Sequence, residues 1–261
     1  MPLSPLTALQ HRFNDGAVPF RVTTRDGIGL VGTRVGKAEP ALVFCHGFLG
    51  WHRKPRVARF LEALSRWFTV YAADLRGHGR SGGLCTFGDR EYLDVEALVL
   101  AAREDGHRYV ATVGASMGGI AVVRHGGILG GADMVVAVSV PARWEGHRSA
   151  SIRRMQRLTT TPHGRRLCRL AGARISAEWG HPESPEEIVS KIAPTPVLIV
   201  HGRDDAYFDE EEAWRLYRKA SQPKRLLLAS RFGHAEDGFT PQFAERLGAV
   251  VYGQWGLPWP A

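Results

Sequence analysis

Cysteine is scarce: Cys45, Cys85 and Cys168 are three in 261 residues, far apart and outside any C-x-x-C spacing. Such a set cannot close a disulfide framework or hold a metal cluster, so it points to a reducing compartment and to packing or bystander thiols. No His-x-x-x-His or comparable cluster of ligands appears either, and neither a metal nor another cofactor is expected. No uninterrupted apolar run approaches the roughly 20 residues that cross a bilayer. The opening Met1-Pro2-Leu3-Ser4-Pro5 lacks the basic and apolar regions of a secretion signal. A cytoplasmic protein with no transmembrane segment is the expectation, and there is no internal repeat or low-complexity tract.

Acidic residues are nearly missing from one segment. Between Pro141 and Ile175 stand Arg143, Arg148, Arg153, Arg154, Arg157, Arg165, Arg166, Arg169 and Arg174 against the single acid Glu145, which equals the whole formal charge of +8. A basic chain raises nucleic acid as a partner. Here the charge is confined to one segment with no aromatic stacking platform, so nucleic acid is not expected. Two readings of the arginines stay open. They form a solvated helical face, or they attract an anion: a carboxylate, the phosphopantetheine of CoA or a carrier protein, or an anionic lipid surface. Trp144 and Trp179 flank the segment, either as walls of an acyl pocket or as core.

The length suits one large α/β domain with a small insertion. Val18 to Thr24 and Ile28 to Val35 are β-prone runs around Arg25-Asp26-Gly27, a hairpin pattern. Ala41 to Cys45, Phe68 to Ala73, Tyr109 to Val113, Met134 to Val140, Val197 to Val200 and Arg225 to Ala229 read as strands. Helical spacing marks Pro55 to Trp67, Asp89 to Arg103 with Asp89 as a cap, the run after Ser116, Asp209 to Ala220 with Asp209 as a cap, and Pro241 to Val251. Alternation of this kind implies βαβ units and a mostly parallel sheet. It breaks at Pro141. Residues 1–140 and 191–261 therefore read as the core, and 141–190 as an Arg-rich insertion over the sheet.

Four sequences fall at the carboxyl ends of expected strands, where parallel sheets place ligands. Gly114-Ala115-Ser116-Met117-Gly118 has the G-x-S-x-G spacing of a sharp strand-to-helix turn, in which the residues two away from the serine must be small. His46-Gly47-Phe48 is a loop whose glycine lets the Phe48 N–H, beside that of Met117, point at a developing oxyanion. Gly202-Arg203-Asp204-Asp205 and Phe232-Gly233-His234 follow the last two strands. A serine hydroxyl needs a base, and a histidine base needs a carboxylate to fix its tautomer. Ser116, His234 and one of Asp204 or Asp205 supply that set. Asp74 reads as a structural loop carboxylate, and His46 and His78 as residues that organise loops.

These motifs, with Asp74-Leu75-Arg76-Gly77-His78-Gly79-Arg80-Ser81 matching a D-x-R-G-x-G-x-S loop, make the chain resemble the α/β-hydrolase fold superfamily over nearly its whole length, and its serine esterases and acylglycerol-lipase-like members most. The resemblance implies an eight-stranded, mostly parallel sheet with helices on both faces and a small helical cap after the sixth strand. It implies Ser116 as nucleophile, His234 as base and Asp205, three after the glycine, as the acid, with Asp204 the alternative. The Phe48 and Met117 N–H groups form the implied oxyanion hole. The expected activity is cleavage of a small-molecule ester or thioester. A lyase, an acyltransferase or cyclase, and a non-catalytic binder remain alternatives, while a serine at the elbow argues against aspartate-nucleophile relatives.

Overall fold

A computed structural model of the chain describes residues 10–14, 16–178, 180 and 182–260. The opening Met1 to Pro5 and Trp179, on which two expectations rest, lie outside the described residues. Strands β1 (Val18–Thr23) and β2 (Gly29–Val35) form the expected hairpin, with Val18 opposite Arg34 and Thr23 opposite Gly29. β2 runs antiparallel to β4 (Thr69–Asp74). From there β3 (Ala41–Cys45), β5 (Val110–Ala115), β6 (Met134–Val138), β7 (Val197–Gly202) and β8 (Lys224–Ala229) continue in parallel. The order across the sheet is β1-β2-β4-β3-β5-β6-β7-β8.

Every residue of β3 to β7 is buried, as continuous apolar strands covered on both faces must be. Alternation along each strand divides the core in two. Ala41, Val43 and Cys45 pack with α2 (Tyr92–Glu104), α3 (Met117–Ile128) and α7 (Glu210–Lys219), whereas Leu42 and Phe44 pack with α1 (Pro55–Leu64) and α8 (Pro241–Gln254). Asp209 stands at the N-cap of α7. Asp89 does not cap α2, which starts at Tyr92 behind Glu91. The Asp89 carboxylate instead accepts from Arg124 Nη2 at 3.2 Å, and buried Glu91 takes the Gly88 N–H at 2.8 Å.

The insertion after β6 begins with a helical hairpin, α4 (Ala150–Thr160) and α5 (Pro162–Leu170). Pro162 cannot extend the hydrogen-bond ladder of α4, and Thr161 caps α5 by accepting from the Gly164 N–H at 3.1 Å, worth about 1 kcal/mol. Two isolated bridges, His78 with Ala173 and Cys85 with Ile175, sew the chain leaving α5 to the loop after β4. Before β7 the chain returns to the core. In α6 (Pro185–Ile188) and the 3-10 turn Val189–Ile192, the side chains of Ile188, Val189 and Ile192 are buried, the last two in the core beneath α3. Sequence composition does not separate these residues from the polar segment before them.

Candidate active site

The sheet register sets the site. Cys45 on β3 lies opposite Gly114 on β5, so the loop leaving β3 and the turn leaving β5 emerge side by side. That turn holds Ser116 at φ 52° and ψ −114°, a strained conformation that costs roughly 1–3 kcal/mol. Two glycines make room for it. A Cβ on Gly114 would sit 2.1 Å from the Gly118 carbonyl oxygen, and one on Gly118 would sit 2.3 Å from that of Cys45. With side chains there, the helix could not start this close behind the strand.

His234 follows β8, and its chain is held by the Ala235 N–H donating to buried Ser139 Oγ at 2.9 Å. Asp205 follows β7. Its Oδ1 accepts the N–H groups of Tyr207 and Phe208 at 2.8 and 3.1 Å, and its Oδ2 accepts from His234 Nδ1 at 2.8 Å. That bond makes Nδ1 the protonated nitrogen, leaving the Nε2 lone pair 3.0 Å from Ser116 Oγ. Burial of the Asp205 side chain raises a carboxyl's pKa, but the bond and charge of His234 and the two amides outweigh it and hold Asp205 below its usual value. Asp204, its neighbour, is exposed and turned to solvent. The Tyr207 and Phe208 rings lie with centroids 4.3 and 5.6 Å from the imidazole and resist its rotation.

The loop after β3 is fixed by two histidines. His46 Nε2 accepts the Leu75 N–H at 2.9 Å, so Nδ1 carries the proton and donates to the Gly47 carbonyl at 2.8 Å. The Gly50 N–H donates to the same carbonyl at 3.0 Å. A trans peptide sends its N–H the opposite way from its C=O, so pinning the Gly47 oxygen also fixes the Phe48 N–H. His78 donates from Nδ1 to Arg76 O at 3.1 Å and accepts the Leu49 N–H at 3.4 Å. Burial pushes the His46 imidazole below its usual pKa and His78 down to about 3, keeping both neutral. Asp74 has a structural set of partners: His52 Nδ1 at 2.7 Å and the Arg80 N–H at 3.1 Å.

Ser116, Met117 and Phe48 share the wall of one cavity of about 640 Å³. Its remaining lining is mostly apolar, including Phe87, Ile120, Trp144, Ile152, Met155 and Phe208. Of the nine arginines in the basic segment, Arg143 and Arg165 reach this cavity. Arg143 pairs with buried Glu212 at 3.3 Å, and Arg174 turns inward to the carbonyls of Ser81 and Gly83. Glu212 and Ser139 had no signal in the sequence, because each acts by accepting a backbone N–H distant in the chain, Ala142 at 2.7 Å for Glu212. Tyr207 and Phe208 carried one: two aromatics at the second and third positions after the candidate acid. Among the described residues no group of His, Cys, Asp and Glu could hold a metal ion, and no helix is long and apolar enough to cross a membrane.

A family model described as "Alpha/beta hydrolase family" matches residues 42–258. The chain belongs to this family. It is 31% identical over 176 residues to the uncharacterized protein YqkD of Bacillus subtilis (strain 168). That match spans 64% of this chain and only 56% of YqkD. Among solved structures, the esterase Pf2001 of Pyrococcus furiosus superposes with a TM-score of 0.72 at 19% identity, covering 94% of this chain and 98% of that one. A putative aryl esterase from Burkholderia cenocepacia gives a TM-score of 0.67 at 21% identity, covering 92% of this chain and 100% of that one. At such identities the two share the alpha/beta hydrolase fold with this chain, the eight-stranded sheet described above.

Proposed function

We propose that the chain is a serine hydrolase that cleaves a carboxylic ester or thioester through an acyl-enzyme intermediate. The observation that carries this reading is the unbroken relay from Asp205 through His234 to Ser116, at 2.8 and 3.0 Å, opening on an apolar cavity. His234 Nε2 takes the Ser116 proton as Oγ attacks the carbonyl carbon, and Asp205 stabilises the imidazolium that results. The carbonyl oxygen gains the electron pair and is held by the N–H groups of Phe48 and Met117, the second at the positive end of α3. Collapse expels the alcohol or thiol, which takes the proton from His234. Water then repeats the sequence, releasing the acid and restoring Ser116.

The cavity is of a size and polarity that suit an apolar acyl or aryl group. Two of the solved relatives are described as esterases, which agrees with this reading. Cys45, Cys85 and Cys168 are free and buried, in keeping with a reducing, cytoplasmic setting. An activity-based phosphonate probe tests the nucleophile. The wild-type chain is labelled and loses turnover of p-nitrophenyl esters, whereas Ser116→Ala is neither labelled nor active. Equal labelling of the two would overturn the assignment.

A further inference from the structure

The α4–α5 hairpin has two unlike faces. On α4, Ile152, Met155 and Thr159 line the cavity, and at about 100° per residue they occupy one side of the helix. Arg153, Arg154 and Arg157 fall on the other side, and all three are exposed. On α5 the buried Gly164 and Cys168 define the inner side, while Arg166 and Arg169 are exposed. Arg148, just before α4, is exposed too. Among the described residues none of these six arginines pairs with an acid; of the segment's arginines, Arg143 alone does so. Two apolar side chains of α5 are exposed as well, Leu170 at 59% beside Arg166 on the outer side and Leu167 at 43% on its flank.

Uncompensated positive charge with leucines set into it matches two features of a membrane surface at once. Arginines are attracted to anionic headgroups, and leucines gain only where a hydrocarbon layer lies behind those headgroups. A nucleic acid would answer the charge but offers nothing to the leucines. Residues 150–170 also contain no Phe, Tyr or Trp on which a base could stack. We propose that the outer face of the α4–α5 hairpin docks on anionic lipid bilayers. The cavity lies on the opposite side of α4, so the contact holds it within one helix diameter, roughly 10 Å, of the bilayer surface. This inference concerns binding and does not depend on the catalytic reading.

Co-sedimentation of the full chain with vesicles tests it. The protein sediments with phosphatidylcholine vesicles that contain phosphatidylglycerol, stays in solution with phosphatidylcholine alone, and is released by added salt. Replacing Arg153, Arg154 and Arg157 together by Ser lowers the partition coefficient by about a hundredfold, whereas replacing all three by Lys keeps it. Leu167→Ser lowers it about tenfold. Thermal unfolding of each variant matches wild type, because these side chains are exposed. Equal sedimentation with neutral and anionic vesicles would overturn the proposal. So would unchanged binding in the triple Ser variant, or a Leu167→Ser chain that binds vesicles as wild type does and is displaced by RNA, which marks a general polyanion surface.

Discussion

A buried carboxylate with two backbone N–H groups on one oxygen and an imidazole on the other has no freedom left to rotate. That is the state of Asp205, and it separates Asp205 from Asp204, whose side chain points to water. Asp205→Asn keeps the shape but offers an amide, which leaves the imidazole in the wrong tautomer. The expected loss is about 10³–10⁴ in kcat, while Asp204→Asn stays within twofold of wild type on p-nitrophenyl esters. Comparable losses from both variants would show that the carboxylates share the work. Ser116 and His234 were legible in the sequence because glycines and strand ends surround them. The choice between adjacent aspartates rested on family spacing, since it depends on which side of a tight turn each side chain leaves. Nothing in composition records that direction.

At the scale of elements, strands were easier to read than the ends of helices. Continuous apolar runs such as Ala41–Cys45 leave little choice, since only a strand covered on both faces buries every residue of so short a run. The start of α2 differs from the expected one because Asp89 has the chemistry of a cap but is drawn off by Arg124, a partner on another helix. The stretch before β7 hides a similar long-range effect: Val189 and Ile192 are core residues that follow a polar segment. The sequence marks the segment of α4 as Arg-rich and helical in patches, and its inner face lines the cavity. Met155 lies on that face, partly buried, so Met155→Trp fills space that a long acyl chain would use. Turnover of p-nitrophenyl octanoate is expected to fall at least about tenfold in kcat/KM, with the acetate little changed. A parallel fall for both esters would mean that the substitution disturbs the Asp205–His234–Ser116 relay rather than the cavity alone.

For the whole molecule, the order of elements and the parallel sheet followed from alternating strand and helix patterns, and the packing of the centre then has a consequence for acid stability. His46, His78 and His125 are each about 1% exposed and are kept neutral by their surroundings. Burial lowers the pKa of all three, to about 3 for His78 and about 4 for His125, and protonation of the adjacent His46 would lower that of His78 further. In the unfolded chain the same groups titrate near their ordinary value of about 6.5. Between those limits the unfolded state binds more protons than the folded state, so stability rises with pH. It is fully present above about pH 6.5 and drains away as pH falls toward 4, at up to about 1.4 kcal/mol per pH unit for each group. His78 and His125 alone imply a loss of a few kcal/mol by pH 5, a large share of the roughly 5–15 kcal/mol that holds a domain folded. Urea unfolding at pH 7.5, 6 and 5 measures it. His125→Gln isolates one contribution, because the His125 Nδ1 atom is buried with no hydrogen-bond partner among the described residues. The variant is expected to lose stability less steeply than wild type from pH 7.5 to 5. A wild-type curve flat over that range would mean that the buried histidines gain protons without unfolding, through partners that rearrange to accept the charge.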